Sequence, residues 1–218
     1  MSDIVNLKPE AVWRFFDEIT RIPRPSKKEE KIVAYLIDFA KSRSLEYRKD
    51  STGNVVIRKG ASPGMENRPV VVLQSHVDMV CEKRGDVNFH FDTDPIRTRV
   101  EDGWVRAEGT TLGADDLAHG PVECLFTVDE ETGLTGAFGL GEGMLSGKYL
   151  INLDSEDEGQ LFIGCAGGID TVATMRYRQE EAPKNYDFFR IDIGGLLGGH
   201  SGDDIDKGRS NSNKLLAR

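Results

Sequence analysis

Apolar residues recur at helical spacing near the start of the chain. Pro9 suits the first position of a helix, and the apolar residues after it fall on one stripe: Val12, Phe15, Phe16 and Ile19. After a proline-containing break at 22–25, Ser26 to Glu29 has the pattern of a capping box. The following residues place Ile32, Val33, Leu36, Ile37 and Ala40 on a second apolar face. The pattern predicts two amphipathic helices, the second capped by Ser26.

From Tyr47 onward the pattern is typical of short β-strands. Three runs are almost wholly apolar, as in strands that are buried on both faces of a parallel sheet: 69–73, 122–128 and 149–153. A further apolar run covers 54–58, and the alternating segment 86–112 contains Asp102-Gly103, a hairpin turn signal. Helices combined with such strands predict an α/β fold with a mostly parallel central sheet flanked by helices.

The segment 169–177 alternates apolar and polar residues, unlike the solid apolar runs before it. A strand with one solvated face indicates a second sheet. We therefore expect a domain boundary near 167, with a first domain over 1–167 and the start of a smaller α+β domain over 168–218.

Each of the three apolar runs leads into residues that can bind or serve a metal. Ser75-His76-Val77-Asp78 follows the first run, Asp129-Glu130-Glu131 the second, and Asp154 the third. In open α/β sheets the ligand site lies just beyond the carboxyl ends of parallel strands. Three such ends with a histidine and several carboxylates predict one metal-binding crevice. A metal-dependent hydrolase is the leading interpretation.

The spacing of His76 and Asp78 suits a metal-bound histidine whose other ring nitrogen is held by a carboxylate, because residues i and i+2 of a strand share a face. The adjacent carboxylates of Glu130 and Glu131 repel one another, so a cation could bind one and leave the other as a general base toward water. Both motifs have simpler explanations, namely a histidine that is hydrogen-bonded at a strand end and an acidic turn in solvent.

Two glycine-rich loops carry further candidates. Asp115, in the segment 109–116, could point into the crevice, although a plain Asx turn would also explain the acids there. His200 lies in the segment 198–202, where glycines let the backbone approach a substrate closely. A glycine-rich hairpin loop is the alternative for that segment.

Composition narrows the class of protein. The formal charge of −9 disfavours nucleic acid as a partner, because phosphate binding needs clustered lysine and arginine. The 3 widely spaced cysteines indicate reduced thiols rather than a disulfide frame. The amino terminus lacks the pattern of a secretory signal, and no apolar segment approaches the roughly 20 residues of a membrane helix. We expect a cytoplasmic protein without a membrane partner.

Taken in order along the chain, these motifs resemble the aminoacyl-histidine dipeptidases, also called cytosol non-specific dipeptidases. That family belongs to the dizinc metallopeptidases related to aminoacylase and carboxypeptidase G. The segments that carry the resemblance are SHVDMVCEK, EGTTLGADD, HGPVECLFTVDEETGLTGA, LINLDSEDEG and GGHSGDDIDKGRSN. The resemblance implies a zinc-exopeptidase-like fold with a lid domain, and two zinc ions for which manganese or cobalt could substitute. It also implies hydrolysis of unblocked dipeptides, including Xaa-His, and is compatible with a homodimer.

The resemblance further implies a role for each matching residue. Four residues would bind metal, with Asp115 bridging the two zinc ions: His76, Asp115, Glu131 and Asp154. Asp78 would orient His76, and Glu130 would be the general base. His200, on the lid, would contact the substrate.

Two departures from the family pattern change this expectation. Only Asp116-Leu117-Ala118 separates Asp115 from His119, where relatives have a long apolar helix, so a sheet face would lose its cover. The chain also ends at Arg218, early in the lid and before the last histidine ligand of the second metal. We expect the amino-terminal portion of a dipeptidase, which could be inactive in isolation. The alternatives are an aminotripeptidase or deacylase of the same clan, and a degenerate protein that binds peptide or oligomerises without catalysis.

Overall fold

The structure is a computed structural model, and it describes residues 3–81, 83, 87–107, 120–155, 159–165, 167–169, 171–199, 204 and 206–218. The chain forms two compact units, Met1–Leu161 and Phe162–Arg218. The described residues of the first unit form a short 3-10 helix (Asp3–Asn6) and three α-helices: α1 (Glu10–Thr20), α2 (Glu30–Ser42) and α3 (Thr135–Phe138). They also form seven strands: β1 (Glu46–Lys49), β2 (Val55–Lys59), β3 (Val71–His76), β4 (Thr98–Glu101), β5 (Trp104–Ala107), β6 (Val122–Thr127) and β7 (Tyr149–Asn152).

The two predicted amphipathic helices are α1 and α2. Pro9 directly precedes α1, and Phe16 in its apolar stripe is buried. The apolar face of α2 buries Ile32, Val33, Leu36 and Ala40. Helical spacing of apolar residues therefore predicted both helices and the sides on which they pack.

The prediction that Ser26 caps α2 is wrong. The helix begins at Glu30, and the Ser26 hydroxyl donates to the carboxylate of Asp78, with 2.8 Å between Oγ and Oδ2. The side chain of Asp78 is completely buried, and a buried carboxylate needs hydrogen-bond donors. A tertiary contact thus takes the hydroxyl that local spacing assigned to the helix end.

Five strands form the central sheet in the order β1-β2-β6-β3-β7. Strand β3 pairs in parallel with β6 on one side and with β7 on the other. Strand β2 is antiparallel to both β1 and β6. Four of the five strands therefore run in one direction and β2 runs in the other, which confirms the predicted mostly parallel sheet. The carboxyl ends of β6, β3 and β7 meet at one edge.

The sheet has an apolar cluster on each face. On one face Val55 and Ile57 pack with the buried residues of α2. On the other face Val56, Val72 and Leu125 pack with Met144. The edge strand β7 is less well covered, as the exposure of its apolar side chains shows. About half of the surface is exposed for each of Tyr149, Leu150 and Ile151. The hydrophobic core therefore consists of two layers, one on each face of the sheet around β2, β6 and β3.

The predicted hairpin is present as a separate two-stranded sheet. Strands β4 and β5 pair antiparallel, and the turn residues Asp102 and Gly103 have φ angles of 52° and 79°. Positive φ at both central positions is the conformation of a type I′ turn, which an Asp-Gly pair favours. The local turn signal was sufficient to predict this element.

The second unit contains one regular element in its described part, the helix α4 (Ser212–Leu216). The strand predicted over 169–177 is wrong for the residues that the structure describes there, 169 and 171–177. A strand needs a hydrogen-bonded neighbour, and alternation alone does not supply one. Ile169, Val172 and Met175 are accordingly exposed. In neither unit is any described helix long and apolar enough to cross a membrane.

A candidate metal centre at the ends of three parallel strands

Three strand ends bring the candidate residues together. His76 is the last residue of β3, which lies between β6 and β7 in the sheet. Glu130 and Glu131 follow β6, and Asp154 follows β7. Because all three strands run in parallel, their carboxyl ends lie side by side at the edge where α/β sheets bind ligands.

Distances confirm that these side chains converge. One possible ligand atom each from His76, Glu130 and Glu131 lies within 4.8 Å of the other two. Asp154 reaches the same histidine, with 3.5 Å between its Oδ2 and His76 Nε2. Four of the predicted site residues therefore occupy one crevice. Two further predicted contributors, Asp115 and His200, lie outside the described residues.

Asp78 holds the histidine from behind. Its Oδ1 lies 3.1 Å from His76 Nδ1, an arrangement in which Nδ1–H donates and Nε2 is left to face the crevice. The same carboxylate accepts hydrogen bonds from the Ser26 hydroxyl and from the backbone N–H groups of Glu130 and Glu131. Burial raises the pKa of Asp78, but these hydrogen bonds lower it more, so the pKa lies well below its usual range. Asp78 therefore stays ionised.

The imidazole and the nearest glutamate have shifted pKa values. The hydrogen bond to Asp78 raises the pKa of His76 to about 9, against the effect of burial and with help from the charge of Asp154. Burial raises the pKa of Glu130, and the neighbouring charge of His76 opposes that rise. A carboxylate with a raised pKa is a better proton acceptor, which is the property that a general base requires.

The donor set fits a divalent cation. One imidazole nitrogen and carboxylates of Glu130, Glu131 and Asp154 are the ligand types that zinc, manganese and cobalt accept. The carboxylate behind the imidazole is the usual partner of a metal-binding histidine. Carboxylates brought this close also repel one another unless a positive charge lies between them. The residues present therefore suit a metal centre.

A cavity adjoins the metal-centre residues. It has a volume of about 740 Å³, and Glu131 and Thr132 form part of its wall. Met79, Phe89 and Phe91 line it as well, the two phenylalanine rings meeting edge to face with centroids 5.0 Å apart. A cavity of this size beside the crevice leaves room for a small organic ligand.

Sequence reasoning missed two of the three residues behind the centre, Glu29 and Asp129. Glu29, Asp78 and Asp129 form a second group of close carboxylates, and all three are buried. Only Asp78 was predicted to have a role. The contacts of Glu29 and Asp129 join residues 100 positions apart in the chain, and no local motif signals such a contact.

No protein-family model matches the chain. It is 43% identical to the cytosol non-specific dipeptidase of Escherichia coli over 233 residues, which cover 100% of this chain and 48% of the relative. The crystal structure of aminoacylhistidine dipeptidase from Vibrio alginolyticus matches with a TM-score of 0.72 and 40% identity, covering 100% of this chain and 47% of that one. Aminopeptidase PepT from Bacillus cereus matches with a TM-score of 0.53 and 25% identity, over 66% of this chain and 43% of that one.

The chain spans about half the length of the relatives that it matches. The alignment with the Escherichia coli protein covers 233 residues, more than the 218 of this chain, so the relative has residues without a counterpart here. The resemblance predicted from the motifs is confirmed: over its whole length, the chain is similar to the amino-terminal portion of the aminoacyl-histidine dipeptidases.

Proposed function

We propose that this chain carries most of the active site of a zinc-dependent dipeptidase. The observation that carries the proposal is the convergence of His76, Glu130, Glu131 and Asp154 at the ends of three adjacent parallel strands. The names of the relatives, a cytosol non-specific dipeptidase and an aminoacylhistidine dipeptidase, support peptide hydrolysis as the reaction.

Two zinc ions are the proposed cofactors, with manganese or cobalt as substitutes. His76 and Asp154 would hold the first ion and Glu131 the second, while Asp115 would bridge them, as the family resemblance implies. Asp78 would keep the ring of His76 in a fixed orientation and tautomer through the 3.1 Å contact at Nδ1. Bound zinc would polarise the scissile carbonyl and favour ionisation of the attacking water.

Glu130 is the proposed general base. In the reaction, the water oxygen bonds to the carbonyl carbon of the peptide and the C–N bond breaks. Glu130 would accept the proton that the water loses and deliver it to the leaving amine. The raised pKa of its carboxyl group suits both halves of this transfer.

The proposed substrates are unblocked dipeptides, including Xaa-His. The cavity beside Glu131 supports this size of ligand, since it holds about 740 Å³. The residues 168–218 would be the start of a lid domain, and His200 would contact the substrate from there. The residues 1–167 would form the catalytic domain. A cytoplasmic location is part of the proposal, in line with the name of the Escherichia coli relative, a cytosol non-specific dipeptidase. A homodimer is proposed from the family resemblance alone.

Metal stoichiometry tests the proposal most directly. The purified chain is stripped of metal, reloaded with zinc and measured by elemental analysis, with His76→Ala as the variant that should lose binding and His90→Ala as the matched control. Two ions per chain would support the full centre, and one would support a first site of His76, Asp115 and Asp154. No bound zinc in the wild-type chain would contradict the proposal.

Dipeptide hydrolysis is then assayed in the zinc-loaded chain. Metal-dependent turnover of Xaa-His substrates is the expected outcome for a complete active site. Binding of dipeptide without turnover would instead favour a non-catalytic protein of the same fold, and turnover of tripeptides or acylated amino acids alone would favour another activity of the same clan.

A further inference from the structure

The segment before α2 contacts the turn that carries the two glutamates of the centre. Glu29 directly precedes α2 and is only 7% exposed. Its Oε1 accepts the backbone N–H of Asp129 at 3.0 Å and the N–H of Lys27 at 2.9 Å. A buried carboxylate at the start of one helix is therefore bonded to the main chain just after β6.

The next two N–H groups of the same turn have a similar acceptor. The N–H groups of Glu130 and Glu131 donate to Asp78, at 3.0 Å to Oδ1 and 3.1 Å to Oδ2. Three consecutive N–H groups thus point at two buried carboxylates. Asp129 has a φ of 51°, in the left-handed region, and such a conformation lets successive N–H groups converge on an anion.

The segment just before α2 supplies one of these acceptors and contacts the other. Glu29 is itself one acceptor, and Ser26 donates to the other, with 2.8 Å between its Oγ and Asp78 Oδ2. The segment 26–29 consequently fixes the main chain of 129–131 from two directions. Because a side chain leaves from a fixed Cα, the directions of Glu130 and Glu131 are fixed with it.

We propose that Glu29 is a positioning residue that holds the turn of Asp129 to Glu131 so that Glu130 and Glu131 face His76. The proposal rests on the proposed function, because the glutamates that it positions are the proposed base and metal ligand. Glu29 does not reach the crevice itself, since its carboxylate is bonded to main-chain N–H groups behind the turn. Carboxylates that orient ligands from behind typically change metal affinity about 10–100-fold when they are removed.

The experiment combines two measurements on the purified chain. Amide hydrogen exchange of peptides covering 128–135 reads the turn directly, without metal, and a zinc titration reads the centre. Three variants are compared: Glu29→Ala removes the acceptor, Glu29→Gln keeps an acceptor oxygen, and Val33→Ala removes packing atoms from α2 while both carboxylate acceptors of the turn stay in place. Val33 is 6% exposed and packs in the sheet cluster.

We expect Glu29→Ala to speed exchange in the 128–135 peptides and to weaken zinc binding by about 10-fold or more. Glu29→Gln should restore slow exchange and a zinc affinity close to that of the wild-type chain. Val33→Ala should lower the thermal midpoint while both readouts stay at their wild-type values. If Glu29→Ala does not fold, Glu29→Asp, whose carboxylate is drawn back by one methylene, should show the same two changes to a smaller extent.

The opposite pattern would overturn the proposal. A Glu29→Ala variant that loses thermal stability as Val33→Ala does, but keeps wild-type exchange and zinc affinity, would make Glu29 a structural residue only. Failure of the proposed function looks different, because then the wild-type chain itself binds no zinc. In that case the exchange data still decide whether Glu29 holds the turn.

Discussion

At the scale of single residues, identical carboxyl groups have different tasks because their surroundings differ. Asp78 has a side chain without any exposed surface and four hydrogen-bond donors around it, so it remains ionised and orients its neighbours. Glu130 is desolvated without comparable donors, and its pKa is raised. Burial alone therefore does not decide the protonation state of a carboxyl group; the donors around it do.

The assignment of Glu130 as base predicts a separation of metal binding from turnover. In a full-length, active form, Glu130→Gln should bind zinc as the wild-type protein does but lose at least about 100-fold in kcat, because the amide cannot accept the proton. Steady-state hydrolysis of a dipeptide and a zinc titration measure the two effects. Normal turnover in this variant would remove Glu130 as the base.

Gly136 illustrates how closely the backbone packs behind the centre. A Cβ at this position would lie 2.3 Å from the carbonyl oxygen of Val128 and 2.6 Å from Oδ1 of Asn54. The carbonyl belongs to the main chain and cannot turn aside, so Gly136→Ala should lower the free energy of unfolding by about 1–3 kcal/mol. Urea denaturation measures the change. Gly60→Ala, where a Cβ meets nothing within 4 Å, is the control and should stay near wild type.

At the scale of elements, the sequence predicted what local rules determine. The two-residue turn Asp102-Gly103 needs only positive φ angles, and the apolar runs that became β3 and β6 needed only burial. The third run also formed a strand, β7, although its side chains are about half exposed. The strand-end rule then predicted that His76, Glu130, Glu131 and Asp154 lie together.

The predictions that failed depend on contacts between distant parts of the chain. Ser26 fits a capping box locally, yet its acceptor is Asp78, 52 positions away. The partner of Glu29 lies 100 positions away. The alternating segment 169–177 fits a strand locally, but its described residues pair with no neighbouring strand. Local spacing cannot show which partner is present, and the choice between a cap, a tertiary hydrogen bond and an unpaired segment depends on that partner.

A buried glutamate joins β6 to the loop before β7 and gives this part of the sheet a pH dependence. Burial raises the pKa of Glu123, but the N–H groups of Ser146 and Gly147 and the Ser146 hydroxyl lower it more. Arg58 also pairs with it at 2.7 Å. The folded pKa therefore lies below the ordinary value of 4.5. The ionised group contributes stability above that value, and the contribution is lost as pH falls through the folded pKa.

Glu123→Gln should consequently be less stable than wild type at neutral pH, by about 1–3 kcal/mol. The difference should shrink as pH falls below 4.5, because the wild-type carboxyl group then becomes neutral too. Urea denaturation at a series of pH values measures the difference in the free energy of unfolding. A range from about pH 3 to pH 7 brackets the ordinary glutamate pKa of about 4. Glu142→Gln at an exposed position is the control. A difference that stays constant across this range would contradict the role given to the charge.

At the scale of the whole molecule, the two units differ in how far their apolar side chains are exposed. The first unit buries Phe16 at 3% exposure, whereas the second leaves Phe188 and Phe189 exposed at 75% and 87%. A large exposed apolar surface is typical of a region that packs against another protein surface or is accessible to proteases. One helix of 5 residues is the only regular element in the described part of the second unit.

Limited proteolysis should therefore begin in the second unit. Chymotrypsin at low concentration is expected to cleave after Phe188 and Phe189 well before it cleaves after Phe16, because exposed, irregular backbone fits a protease site without unfolding. Mass spectrometry of a time course identifies the order of cuts. Cleavage at Phe16 as early as at Phe188 would show that the first unit is not the more stable one.

The position of β3 between β6 and β7 also determines when the centre can exist during folding. His76, Glu130 and Asp154 come from three strands that are far apart along the chain, and each becomes a neighbour of the others only after β3 has paired on both sides. Helices such as α1 and α2 form from local contacts on a much faster timescale than such non-local pairings. If the proposed centre binds zinc, we expect zinc added to a refolding chain to be captured late, after β7 has joined the sheet.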